Sequence, residues 1–272
     1  MITIGLYTAI KVVASILVVL LLSLIAERIG PRFAGVVSGY PLGAAISLFF
    51  IGLEQGAGFA AHSAIFAAGG LAATVAFVAG YLLGLRGAEG RRRFSALAMA
   101  VLSAFCAYGL AAWGLSVLAL NWLGAPAIAL LAIILGNRLF RAVPEVAIQQ
   151  KMRLGIAITL LRALFAAVVI LAITTAAHAV GPRWAGLFSA FPITMLPLLV
   201  IIQATYQPAH VRTIIRNIPR GLISLLVYTL TVAATYPKLG IAAGTLVGYL
   251  GATVYLVAME MHRQRRLHPH TI

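Results

Sequence analysis

Residues 30–41 read GPRFAGVVSGYP, and residues 181–192 read GPRWAGLFSAFP. Seven of the twelve positions are identical at a constant offset of 151, and the other five are conservative exchanges such as Phe33 for Trp184 and Tyr40 for Phe191. Carried back without a gap, the same offset pairs Lys11 with Arg162. A sequence that repeats in this way is built from two copies of one unit.

The chain around these motifs is too apolar for a soluble fold. Of its 272 residues 62% are hydrophobic and 9% are charged, against about half and about a quarter in a soluble domain. Mean hydropathy is +1.06. A helix that crosses a bilayer needs roughly 20 mainly apolar residues. Nine stretches qualify: residues 6–26, 33–53, 61–85, 94–118, 122–140, 154–177, 184–205, 214–236 and 239–259. The connections are short, and none is long enough to hold a soluble domain. The first stretch lacks the basic start and small-residue cleavage site of a signal peptide and reads as a retained first span. The fold expected is all-α: a polytopic integral membrane protein of nine transmembrane helices.

The charges orient these spans. Lys and Arg number 20 against 5 Asp and Glu, a net charge of +15. With nine crossings, 16 basic residues fall in loops on one side, Arg183 and Lys238 on the other, and Lys11 and Arg162 inside spans. Basic loops stay in the cytoplasm, so the N-terminus is expected outside and the C-terminus inside. Topology and anionic lipid heads account for the sixteen, and nucleic acid is not among the expected partners. The repeat agrees with this count. Residues 1–118 hold four spans, residues 119–150 one linker span and its cytoplasmic loop, and residues 151–272 four more spans with a basic tail. Four crossings return a chain to its starting side, so the linker span inverts the second copy. Inverted repeats about an axis in the membrane plane are a usual construction of secondary transporters.

A lysine early in the first span, followed by A-G-x-x-x-x-[YF]-P opening the second, resembles the GlpM-like family of small four-helix bacterial inner-membrane proteins. The matching residues are Lys11, Ala34, Gly35, Tyr40 and Pro41, and again Arg162, Ala185, Gly186, Phe191 and Pro192, with Arg in place of Lys in the second copy. The resemblance covers both four-span units and leaves out the linker span. It implies a fold and a bacterial inner-membrane location, and it brings no assigned activity. The 4+1+4 plan is also similar to the drug/metabolite transporter superfamily, whose members look like fused versions of small multidrug-resistance dimers. Those exporters keep an acidic residue in the first helix. A basic residue stands near that place here, which implies an anionic substrate rather than a cationic drug.

Lys11 and Arg162 each follow an apolar run of eight to ten residues, which corresponds to about 12 to 15 Å of depth. Two placements fit. Facing a central cavity, they would bind carboxylate or phosphate, and a desolvated lysine could pass a coupling proton. Alternatively they snorkel to the interfaces, since Lys11 and Glu27 are separated by about 24 Å of helix. Pro31 and Pro182 suit a first helical turn. Pro41 and Pro192 each remove a helical hydrogen bond inside the membrane, and Pro197 is expected to loosen the seventh span further. These prolines act either as hinges or as plain structural kinks. Ser38 and Ser189 lie one turn earlier and either satisfy the break or, with Tyr40, contact substrate. Arg32 and Arg183 are candidates for a gate or interface, and Arg183 runs against the charge bias. Two small-residue stripes, Ala96, Ala100 and Ala104 in the fourth span and Gly240, Gly244 and Gly248 in the ninth, are expected to join the halves.

No phosphate-binding loop, zinc motif, nucleophile elbow or paired intramembrane carboxylate occurs, so neither an enzyme nor a cofactor is expected. Cys106 is the only cysteine, and His268 and His270 in the tail are too few for a metal site. The expected function is a secondary transporter or flippase-like permease for a small anionic solute or an anionic lipid head group. The alternative is a non-transporting accessory protein that organises lipid. Expected partners are anionic lipids, the anionic substrate, a coupling proton or ion, and a second copy in a homodimer.

Overall fold

The computed structural model describes residues 9, 12–13, 16–17, 40–143, 156–205 and 208–267, and their side chains except at 156–159, 162, 208 and 263–267. Every element among the described residues is a helix. They are α1 (Leu42–Gln55), α2 (Ala57–Gly87), α3 (Arg93–Ser116), α4 (Gly124–Arg141), α5 (Ile156–Ser189), α6 (Met195–Thr205), α7 (Pro208–Leu239) and α8 (Ile241–Leu267). Six are long and apolar enough to cross a membrane, while α1 and α6 are shorter apolar helices. Most of the expected first span lies outside the described residues, as do Lys11, Arg32 and Ser38. Arg162 belongs to α5, with its side chain outside them.

The repeat offset recurs in the helix boundaries. α2 begins at Ala57 and α7 at Pro208, 151 residues apart. The two helices run antiparallel, because Arg212 near the start of α7 pairs with Glu89 just beyond the end of α2. α2 is the centre of the bundle. It has no charged residue before Arg86 and many alanines and glycines, the pattern of a helix covered on all sides. It packs against α1, α3, α4, α5 and α7. α4, the linker helix, lies against both α2 and α7.

Small residues set how closely these helices approach. A Cβ on Gly80 would stand 2.5 Å from the Ser103 carbonyl oxygen, and one on Gly84 would stand 2.6 Å from that of Met99. Ala100 and Ala104 are buried in this same α2–α3 contact. In α8, Gly244 rests on Tyr236 and Gly248 on Tyr228, both of α7. The two stripes therefore bind neighbouring helices within each half and do not join the halves as expected. The reason is topological: α3 and α8 sit at the periphery, each behind the helix before it. Their outer faces, with that of α4, present leucines such as Leu110, Leu131 and Leu246, as a lipid-facing surface would. The contacts between halves are made by α1, α2, α3, α5, α6, α7 and α8.

Candidate functional site

The stretch expected as one span from residue 184 to 205 is broken in the middle. Pro192 has no N–H to give the Phe188 carbonyl, so regular helix cannot pass through it. α5 ends at Ser189 and α6 begins at Met195. Between them the Phe191 N–H donates to the Phe188 carbonyl at 3.0 Å, the Ile193 N–H to the Phe191 carbonyl at 2.7 Å, and the Leu196 N–H to the Pro192 carbonyl at 2.9 Å. Pro41 makes the same turn. The Leu42 N–H donates to the Tyr40 carbonyl at 2.7 Å and the Ala45 N–H to the Pro41 carbonyl at 2.9 Å. With φ −74° and ψ 44°, Pro41 lies near the centre of an inverse γ-turn. Both bonds at Pro41 have their counterparts at Pro192 under the offset of 151.

The two turns meet at one small recess that is partly open to the exterior. Its lining pairs up under the same offset: Tyr40 with Phe191, Pro41 with Pro192, Gly43 with Thr194, Ala44 with Met195, and Thr74 with Leu225. As a whole it has room for about one water. α1 and α6 both start here, so the first N–H groups of two helices, which have no helical acceptor, lie at the recess with their partial positive charge. Thr74 stands about 26 Å along α2 from Ala57 and about 20 Å from Gly87, which sets the recess near the middle of the bundle.

Carbonyls in the last turn of α5 and in the break find side-chain donors. Thr74 Oγ1 donates to the Ala190 carbonyl at 2.7 Å, and the Tyr108 hydroxyl donates to the Leu187 carbonyl at 2.5 Å. A Cβ on Gly70 would stand 2.8 Å from the Cβ of Ala190, so the broken segment lies directly on α2. Phe191 packs its ring 5.7 Å from Phe77, 5.5 Å from Phe105 and 5.1 Å from Tyr108. On the other side of the recess, the Tyr40 hydroxyl bonds to Thr253 Oγ1 at 2.8 Å and its ring lies 5.9 Å from Tyr249. Tyr249 is in turn 5.2 Å from Tyr228, which stands 151 residues after Phe77. An aromatic cluster thus flanks each proline turn.

Of the expected site residues, Tyr40, Pro41, Ser189 and Pro192 line the recess together. Ser189 is buried, and its hydroxyl donates to the Ala185 carbonyl one turn back at 2.8 Å, so it serves its own helix. Pro197 does not loosen the span. It is the third residue of α6, within the first turn, where N–H groups have no helical acceptor to lose. Arg183 is away from the recess. It is exposed, with Cζ 5.8 Å from the Phe66 ring centre. The segment it belongs to starts at Pro182, after Gly181 turns the chain with φ 74°, a conformation that glycine adopts freely. Three recess or break residues were not singled out from sequence: Thr74, Tyr108 and Thr194. Thr74 and Tyr108 are isolated polar residues within apolar runs, and Thr194 is the offset partner of Gly43. Reading the uncharged polar residues of the spans as closely as the charged ones would have found them.

No family model, curated protein or solved structure matches this chain.

Proposed function

We propose that the protein is a secondary transporter or flippase-like permease of a bacterial inner membrane. It moves a small anionic solute or an anionic lipid head group through the recess between two oppositely oriented four-helix halves. In this reading each half is a GlpM-like unit in a nine-span, 4+1+4 chain, with the N-terminus outside and the C-terminus in the cytoplasm. The observation that carries the proposal is the meeting of the two proline turns, with matching hydrogen bonds, at one recess whose lining pairs up by the repeat offset. Broken helices that turn their N-termini toward a site at mid-membrane are how transporters hold anionic groups without a dedicated charge. Lys11 and Arg162 neutralise the substrate, and Lys11 exchanges a coupling proton. Tyr40 and Thr194 supply hydroxyl groups to the bound anion.

One observation favours the alternative, an accessory protein that organises lipid. The Leu187 and Ala190 carbonyls are already satisfied by Tyr108 and Thr74, and the recess has room for about one water, so transport requires it to widen. The two readings part in purified protein tested with inorganic phosphate, phosphate esters and small carboxylates. A transporter is stabilised against heat by one of these anions and takes it up into proteoliposomes, and Lys11→Ala and Arg162→Ala each lower that stabilisation and uptake about tenfold or more, as for a lost charge-assisted contact. Uptake and stabilisation unchanged in both variants would remove these residues from the site. No response to any anion favours the accessory role.

A further inference from the structure

We propose that α1 and α6 are the two gates of the recess, closing opposite ends of the molecule by unlike chemistry; this rests on the transporter reading above. Both helices start at the recess and leave it in opposite directions. α1 ends at Gln55, with Gly56 alone between it and the start of α2. α6 runs to Gln203, which touches Tyr81, about 36 Å further along α2. Each short helix closes on the last helix of the other half, α1 on α8 and α6 on α3.

The seals differ at equivalent positions. Gly52 and Gln203 are 151 residues apart. At Gly52 the contact is apolar and close: a Cβ there would stand 3.1 Å from the Ile241 side chain, and the polar link beside it, Gln55 Oε1 with His178 Nδ1 at 3.2 Å, is exposed rather than buried. At Gln203 it is polar and buried. The Gln203 side-chain oxygen accepts the Tyr81 hydroxyl at 2.6 Å, and its backbone carbonyl accepts Arg93 Nε at 3.4 Å. The Arg212–Glu89 pair adds an ionic link between the halves at this same end of α2. The polar gate can part into water, because each of its donors and acceptors is then hydrated. The α1 gate parts by exposing Ile241 and the apolar α1 surface as well as by releasing Gln55 from His178. The two ends therefore open under separate control, and a substitution at one seal shifts access to one membrane face only.

The test uses full-length protein in a Cys106→Ser background with Thr194→Cys as the reporter in the recess. A membrane-impermeant methanethiosulfonate is applied to right-side-out and to inverted vesicles, and the labelling rate is read from each face. Gln203→Leu, with Tyr81→Phe as the milder second variant, is expected to raise labelling from one face about tenfold, the population shift that follows loss of one or two hydrogen bonds. Gly52→Val, which wedges against Ile241, and Ile241→Ala, which removes the seal, are expected to raise it from the opposite face. If Thr194→Cys labels but none of these variants changes its rate, or both sets favour one face, the gate assignment is wrong and the recess reading stands. If Thr194→Cys labels from neither face in any variant, the transporter reading itself is overturned.

Discussion

Thr74 and Tyr108 do for the broken segment what helical N–H groups do elsewhere. Each gives a hydroxyl to a carbonyl whose usual donor four residues on is lost or redirected by the proline turn, although the Leu187 carbonyl also accepts the Ala190 N–H at 3.2 Å. A buried acceptor left alone is more costly than the bond is favourable. Because the Leu187 carbonyl keeps the Ala190 N–H, Tyr108→Phe should lower stability by the net value of one hydrogen bond, about 0.5 to 1.5 kcal/mol, read as a lower unfolding midpoint in detergent. Tyr255→Phe loses only a 3.8 Å contact to the Met259 sulfur and should change the midpoint little. Equal effects of the two substitutions would show that the Leu187 carbonyl does not depend on Tyr108. Neither hydroxyl could be assigned from sequence. Thr74 acts on a carbonyl 116 residues away, and nothing local to its apolar stretch marks that partner.

At the scale of elements, the helices long and apolar enough to cross a bilayer were legible and their interruptions were partly so. Apolar length alone located α2, α3, α4, α7 and α8 to within a turn or two, because no other segment type satisfies the backbone in lipid. The proline at 192 marked a break that is present, and the proline at 41 marked the turn at which α1 starts. Pro197 misled, since the effect of a proline depends on its distance from a helix start, and that start is fixed by Pro192. The alanine and glycine stripes were legible as close contacts, but which helix they touch is a property of the bundle. The segment from Pro182 to Ser189 shows what such a contact is worth. Gly186 faces the Ser63 carbonyl so closely that an added Cβ would overlap it, whereas Gly109 in α3 has nothing within 4 Å. Gly186→Ala should destabilise by about 1 to 3 kcal/mol through overpacking. Gly109→Ala should be neutral or stabilise by up to about 1 kcal/mol. Thermal unfolding of the two purified variants checks the pair, and a tolerated Gly186→Ala would mean the segment is not held against α2 as described.

For the whole molecule, the repeat offset is the thread from sequence to site. It relates the starts of α2 and α7, the two proline turns, and five pairs of residues around the recess. α2 and α7 lie antiparallel with the recess beside them, the arrangement in which one half can rock against the other about a fixed centre. Under the transporter proposal the two ends open in turn, and the distances across them are inversely related. Spin labels at Arg91→Cys and Ala209→Cys report one end, and labels at Gly58→Cys and Lys238→Cys report the other, in a Cys106→Ser background reconstituted in lipid. Pulsed electron-spin measurements should find two distances at each end, with the longer one at the first end rising in weight as the longer one at the second end falls when a stabilising anion is added. A single narrow distance at both ends, unmoved by any anion tested, would contradict the account.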